Sequence, residues 1–126
     1  NIVRKVKTFN EMIRNHMLFL KEAIDEEVYS QILDYNSLAH RLLEDSLKAM
    51  FKRDYEHADN IISEIESTAK RENDLIVLIS SKKMDPNISS ILSLILDASR
   101  HIIECSRSIG EVTLNRTIEE ISAQNL

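Results

Sequence analysis

Glycine and proline are almost missing from this chain: there is one of each in 126 residues. Folds rich in β-structure need many tight turns, and tight turns use those two residues. Their scarcity excludes a turn-rich β-protein and favours a few long helices. Cysteine is equally scarce. Cys105 stands alone, so an intramolecular disulfide is excluded, and the composition fits a reducing compartment. Its neighbours Glu104 and Arg107 give no reason for a reactive thiolate, which leaves a packed, inert thiol. Long apolar runs are absent too. The longest, Leu75 to Ile79, is far below the ~20 residues that span a bilayer. No secretory leader pattern is visible, and the expectation is a cytoplasmic protein without a membrane span. Nor is there an excess of positive charge. The net charge of −5 provides no broad basic field for nucleic acid, and the one basic cluster, Arg4, Lys5 and Lys7, reads as a solvated terminus. Because the sequence opens on Asn1 rather than Met, the expectation is a fragment of a longer chain, with nucleic-acid contact only through a fused domain outside it.

What remains is helical periodicity. Apolar residues recur every three or four positions in four sets. The first runs Ile2, Val6, Phe9, Ile13, Met17, Leu20, Ile24. The second runs Val28, Ile32, Tyr35, Ala39, Leu42, Leu43, Leu47, Met50. The third is Ala58, Ile61, Ile62, Ile65, Ala69, Ile76, Ile79, and the fourth Ile88, Ile91, Leu92, Ile95, Ala98, Ile102, Ile109. Met84-Asp85-Pro86 marks a clear break, since Asp can cap a helix and Pro suits its first turn. Asp54 can cap another helix, with Glu56 near its positive end. The break at Asp25-Glu26-Glu27 has neither Gly nor Pro, so the first two helices can equally be one. Thr8 and Glu11 form a capping-box pattern, which makes Thr8 an alternative start. The reading is an all-α, antiparallel bundle of three to four helices in a single domain over 1–126. Core helices are expected near 28–52, 55–82 and 87–121, with 1–24 as a fourth helix or an extension. Stripes of this length leave apolar surface for a second subunit, so a homodimer is expected.

Few residues suggest chemistry. Asp97, His101, Glu104 and Ser108 fall on one helical face. An Asp/His/Glu trio can bind a metal, so weak divalent or iron binding is the sharper reading of Asp97, His101 and Glu104. The plainer one is a solvated face. Asp54 and His57 make one imperfect copy of a di-iron motif that requires two copies and two further carboxylates. Glu72 falls inside the third stripe, and burying an unpaired carboxylate is costly; it should have a polar partner. His16 and His40 sit at stripe edges, where hydrogen-bonded structural histidines are common, and His40 with Glu44 lacks a third ligand. There is no phosphate-cradling glycine loop, nucleophile elbow or zinc helix. Arg53 and His57 have three residues between them, where helical RNases of the HEPN type have four to six. No enzyme and no resident cofactor are expected.

The segment 46–69, SLKAMFKRDYEHADNIISEIESTA, resembles the helical hairpin of the PhoU family of phosphate-uptake regulators, with Leu47, Ala49, Arg53, Asp54 and Ala58 in matching places. The segment 97–115, DASRHIIECSRSIGEVTLN, resembles that family's last helix, with Ile109-Gly110-Glu111 where Ile-Ala-Glu is typical. The resemblance covers about one repeat, residues 28–121. It implies a non-enzymatic regulator or adaptor in phosphate uptake or its signalling, working through helix-surface contacts with transporter or signalling proteins. Some members bind metal clusters through acidic motifs. Here the last-helix copy has Arg100 in place of the first acid and keeps only Glu104, and the second-helix copy, near Ile65 and Ala69, has no acid. Two other readings stand beside it: a metal-binding bundle with its site on the last helix, and a general helical oligomerisation module.

Overall fold

The computed structural model describes residues 2–124, without the side chains of 16–23 and 117. Among the described residues there are four helices and no strand: α1 (Ile2–Ala23), α2 (Glu26–Lys52), α3 (Tyr55–Ser81) and α4 (Pro86–Gln124). The chain is therefore an all-α bundle. No helix among the described residues is long and apolar enough to cross a membrane.

The helix ends follow from side-chain chemistry. Asp25 opens α2 by accepting from the Glu27 N–H at 2.8 Å, and Glu26 and Glu27 add negative charge to its first turn. That local capping separates α1 from α2 despite the lack of Gly or Pro, so the two are not one helix. The expected alternative start at Thr8 is not used. α1 already runs from Ile2, and the Thr8 hydroxyl donates back to the Arg4 carbonyl at 3.0 Å. At the other end of α2 the chain reverses in two residues. Arg53 takes the left-handed conformation (φ 54°, ψ 40°), and the Asp54 N–H reaches the Ala49 carbonyl at 2.9 Å. Together these form a Schellman closure that satisfies late carbonyls of α2. The Asp54 carboxylate then accepts from the His57 N–H at 3.0 Å and opens α3. Asp85 caps α4 through the Asn87 N–H at 2.8 Å, with Pro86 in the first position.

Cross-helix pairs fix the directions. Arg41 of α2 meets Glu64 of α3, Glu72 of α3 faces Arg100 of α4, and Asn36 of α2 donates to Ser99 of α4 at 3.4 Å. Thus α3 runs antiparallel to both α2 and α4. α4 is the central element and packs on all three others, whereas α1 rests mainly on α4 and only lightly on α2. The core is Val28, Ile32, Tyr35, Ala39 and Leu42 from α2, Ala58, Ile61, Ile65 and Leu75 from α3, and Leu92, Ile95, Ala98, Ile102 and Ile103 from α4, with Val6 and Ile13 from α1. Small residues allow the close approach. A Cβ built on Gly110 would lie 3.1 Å from Ile62 Cγ1. The buried hydroxyls of Ser46, Ser106, Thr68 and Thr113 are satisfied by carbonyls of their own helices.

One stripe departs from its expected phase. Leu75, not Ile76, is the buried residue of the last turns of α3, and Ile76 is 44 % exposed. The inward positions are Ala58, Ile61, Ile65, Thr68 and Leu75, spaced by three, four and three and then by seven, with Glu72 at the intervening position. Ala69, expected inside, faces out.

A candidate polar cluster where α2, α3 and α4 meet

The α3 register carries Glu72 to the margin of the core, one turn before Leu75. Its side chain keeps 20 % exposure, and its carboxylate is the charge that acts most strongly on the hydroxyl of Tyr35. Tyr35 itself is 1 % exposed. Burial, then the Glu72 charge, hold the Tyr35 hydroxyl well above the ordinary tyrosine range, against an opposing effect of Arg100. The Tyr35 hydroxyl thus stays protonated and able to donate, with the Glu72 carboxylate as the acceptor beside it. The polar partner expected for Glu72 is present, and it lies on α2 as well as on α4.

Arg100 covers the cluster from α4. Its guanidinium lies 4.0 Å from the Glu72 carboxylate and pairs with Asp97 one turn earlier. A cleft of about 240 Å³ opens there, lined by Glu72, Ile76, Leu96, Asp97 and Arg100 among others. The Asp97–Arg100 pair is half exposed on both sides, so it contributes only about 0–1 kcal/mol. Carboxylates outnumber the guanidinium here, which disfavours an anion such as phosphate at this spot.

The trio proposed for metal binding is split between other duties. Asp97 turns to Arg100 and, at 3.6 Å, to His101 Nε2. The His101 ring stacks on Phe9 of α1, with centroids 5.1 Å apart and planes at 26°. Lys5 Nζ sits 5.9 Å from the same Phe9 ring. Glu104 remains at the surface. Among the described residues, no three His, Cys, Asp or Glu side chains are placed to hold a metal ion. Asp97, His101 and Glu104 therefore share a helix side without forming a ligand set, because α1 occupies His101 and Arg100 occupies Asp97. Local spacing on α4 puts Arg100 within reach of Asp97 but carried no sign of α1. Phe9 could be seen only as a stripe member. Tyr35 offered more, since a tyrosine inside an apolar stripe needs a partner for its hydroxyl.

The other singled-out residues serve the fold. Asp54 and the His57 backbone form the α3 cap. Cys105 is a half-buried free thiol packed against the core. His40 is half-buried, and burial, aided by Arg14 and opposed by Glu44, lowers its pKa. His16 lies outside the described side chains. The chain matches no family model, no curated protein and no solved structure.

Proposed function

We propose that this chain is a non-enzymatic, PhoU-like regulatory or adaptor domain of the cytoplasm. It acts in the control of phosphate uptake through protein contacts at the hairpin end of the bundle, and it pairs there with a second copy of itself. The observation that carries the reading is the apolar surface at that end. α4 has 39 residues and α2 and α3 have 27 each, so at 1.5 Å per residue α4 is about 58 Å long against about 40 Å for the others. It outruns the α2–α3 turn, with Arg53 reaching along it to Glu120 at 3.2 Å. Ile118 and Ile121, three residues apart on one side of this stretch, are half exposed, and Phe51 at the turn is 78 % exposed. Apolar side chains gathered in this way mark interaction surfaces.

A second copy suits the apolar pair, because two α4 ends crossing antiparallel near Ile118 set Ile118 and Ile121 of each against those of the other, a self-complementary contact of the two-fold kind. The segments that resemble the PhoU hairpin and last helix, 46–69 and 97–115, both lie in this half of the bundle or lead into it. The test is removal of the protein in its host, with phosphate uptake measured under phosphate-replete conditions. Uptake should rise, and should be restored by the wild-type chain but not by Ile118→Glu/Ile121→Glu. Unchanged uptake on removal, or full restoration by the double variant, would sink the proposal.

A further inference from the structure

We infer that the cleft between α1 and α2 binds a small organic monoanion with an apolar body and a hydrogen-bond donor, such as a hydroxylated aryl carboxylic acid. The inference is independent of the phosphate-uptake reading and concerns the opposite side of the molecule's helix order. Because α1 rests on α4 and barely on α2, the two first helices leave a cleft of about 450 Å³. That lies in the range of roughly 300–1,000 Å³ typical of small-molecule sites. Two helical faces line it. Tyr29, Leu33, Asn36 and His40 follow one another on α2 at spacings of four, three and four, and Asn10, Ile13 and Arg14 face them from α1.

The chemistry of the lining selects the ligand. The Asn10 Oδ1 is buried without a hydrogen-bond partner, whereas nearly all buried polar atoms in folded proteins have one. An acceptor in that state calls for a donor from whatever enters the cleft. Arg14, one turn further along α1, makes no ion pair with any carboxylate among the described residues, so its charge is available for an acid. One such cation suits a single carboxylate better than a phosphate group, which usually gathers several donors. Leu33, 42 % exposed, and the half-buried Tyr29 supply an apolar wall for the ligand body. The Asn36 amide is already committed, donating to Ser99, and it closes the floor. Burial lowers the His40 pKa, which disfavours a second positive charge at the rim.

The probe is 3-phenyllactate, which has a carboxylate for Arg14, a hydroxyl for Asn10 and a ring for Leu33 and Tyr29. Binding is followed by amide chemical shifts of the ¹⁵N-labelled chain. The expected result is saturable shifts centred on residues 10–14 and 29–40. Arg14→Gln should weaken binding by about tenfold or more, the size of one lost charged contact. 3-Phenylpropan-1-ol, which lacks the carboxylate, should show the same loss, and Leu33→Trp should abolish binding by filling the cleft. Arg14 and Leu33 are exposed, so both variants keep the fold, which circular dichroism checks. Absence of saturable shifts, shifts centred elsewhere, or undiminished binding by Arg14→Gln would overturn the inference.

Discussion

Replacing Glu72 by Leu exposes what the polar cluster does. A buried ion pair can often be replaced by apolar residues at no cost, and Glu72 seen only as a member of the α3 stripe suggests that outcome. The Tyr35 hydroxyl reverses it. That hydroxyl belongs to a residue 1 % exposed, and the Glu72 carboxylate is the charge that acts on it most strongly. Glu72→Leu leaves it unpaired, which costs about 1–3 kcal/mol. Tyr35→Phe alone should cost less, about 1 kcal/mol, because Glu72 keeps Arg100 at 4.0 Å and some solvent. The double variant removes both polar groups together and should come within about 1 kcal/mol of the parent, since replacing both partners by apolar groups is nearly neutral. The coupling between the two sites is then on the order of 1–2 kcal/mol. Urea unfolding followed by circular dichroism reads it directly. With a slope of roughly 1–3 kcal/mol per molar, Glu72→Leu should lower the midpoint by on the order of 1 M, and adding Tyr35→Phe should recover most of that. If the two single effects simply add, the hydroxyl and carboxylate are not partners and the reasoning fails.

Three further outcomes are expected. Arg53→Gly relieves a left-handed backbone that costs a non-glycine residue about 1–2 kcal/mol and loses only an exposed pair with Glu120; the thermal midpoint should rise by a few degrees. Gly110→Leu forces a side chain where a Cβ already meets Ile62 at 3.1 Å, and should destabilise by about 1–3 kcal/mol in urea. The folded-state pKa of His40 is lowered from its ordinary value of 6.5, with burial the main cause. The unfolded chain therefore binds the proton more readily, so this contribution is fully present above pH 6.5 and is lost as pH falls through the lowered value. Unfolding midpoints measured between pH 7 and pH 5 should show that decline, and a His40→Gln chain should show less of it.

Much of the architecture was legible because it is written locally. The breaks at Asp54 and at Asp85-Pro86 announce themselves through capping chemistry, and the helix ends fall within one or two residues of the expected bounds except at the end of α4, which runs to Gln124 rather than 121. The end of α3 was less clear for a physical reason. Leu75 to Ile79 are all apolar, so composition cannot choose which of them faces inward, and only the packing on α4 selects Leu75 over Ile76. The candidate sites were legible in part. Glu72 was found from its place in a stripe, but its partner Tyr35 is 37 positions earlier on another helix. The loss of His101 to Phe9 depends on where α1 crosses α4, which no local spacing records. The α1–α2 cleft is a product of the same placement.

Asp54 both receives the end of α2 through its N–H and opens α3 through its carboxylate. A turn in which one residue completes two caps has no slack. Inserting a single residue there would rotate everything beyond it by about 100° around the α3 axis. Ala58, Ile61 and Ile65 would swing toward solvent, and Glu72 would leave Tyr35. Changes of side chain at the surface of this hairpin can accumulate freely, but changes of its length cannot. Among natural variants of the chain, the spacing between Ala49 and Ala58 should stay constant where the residues between them do not, apart from the acid at position 54.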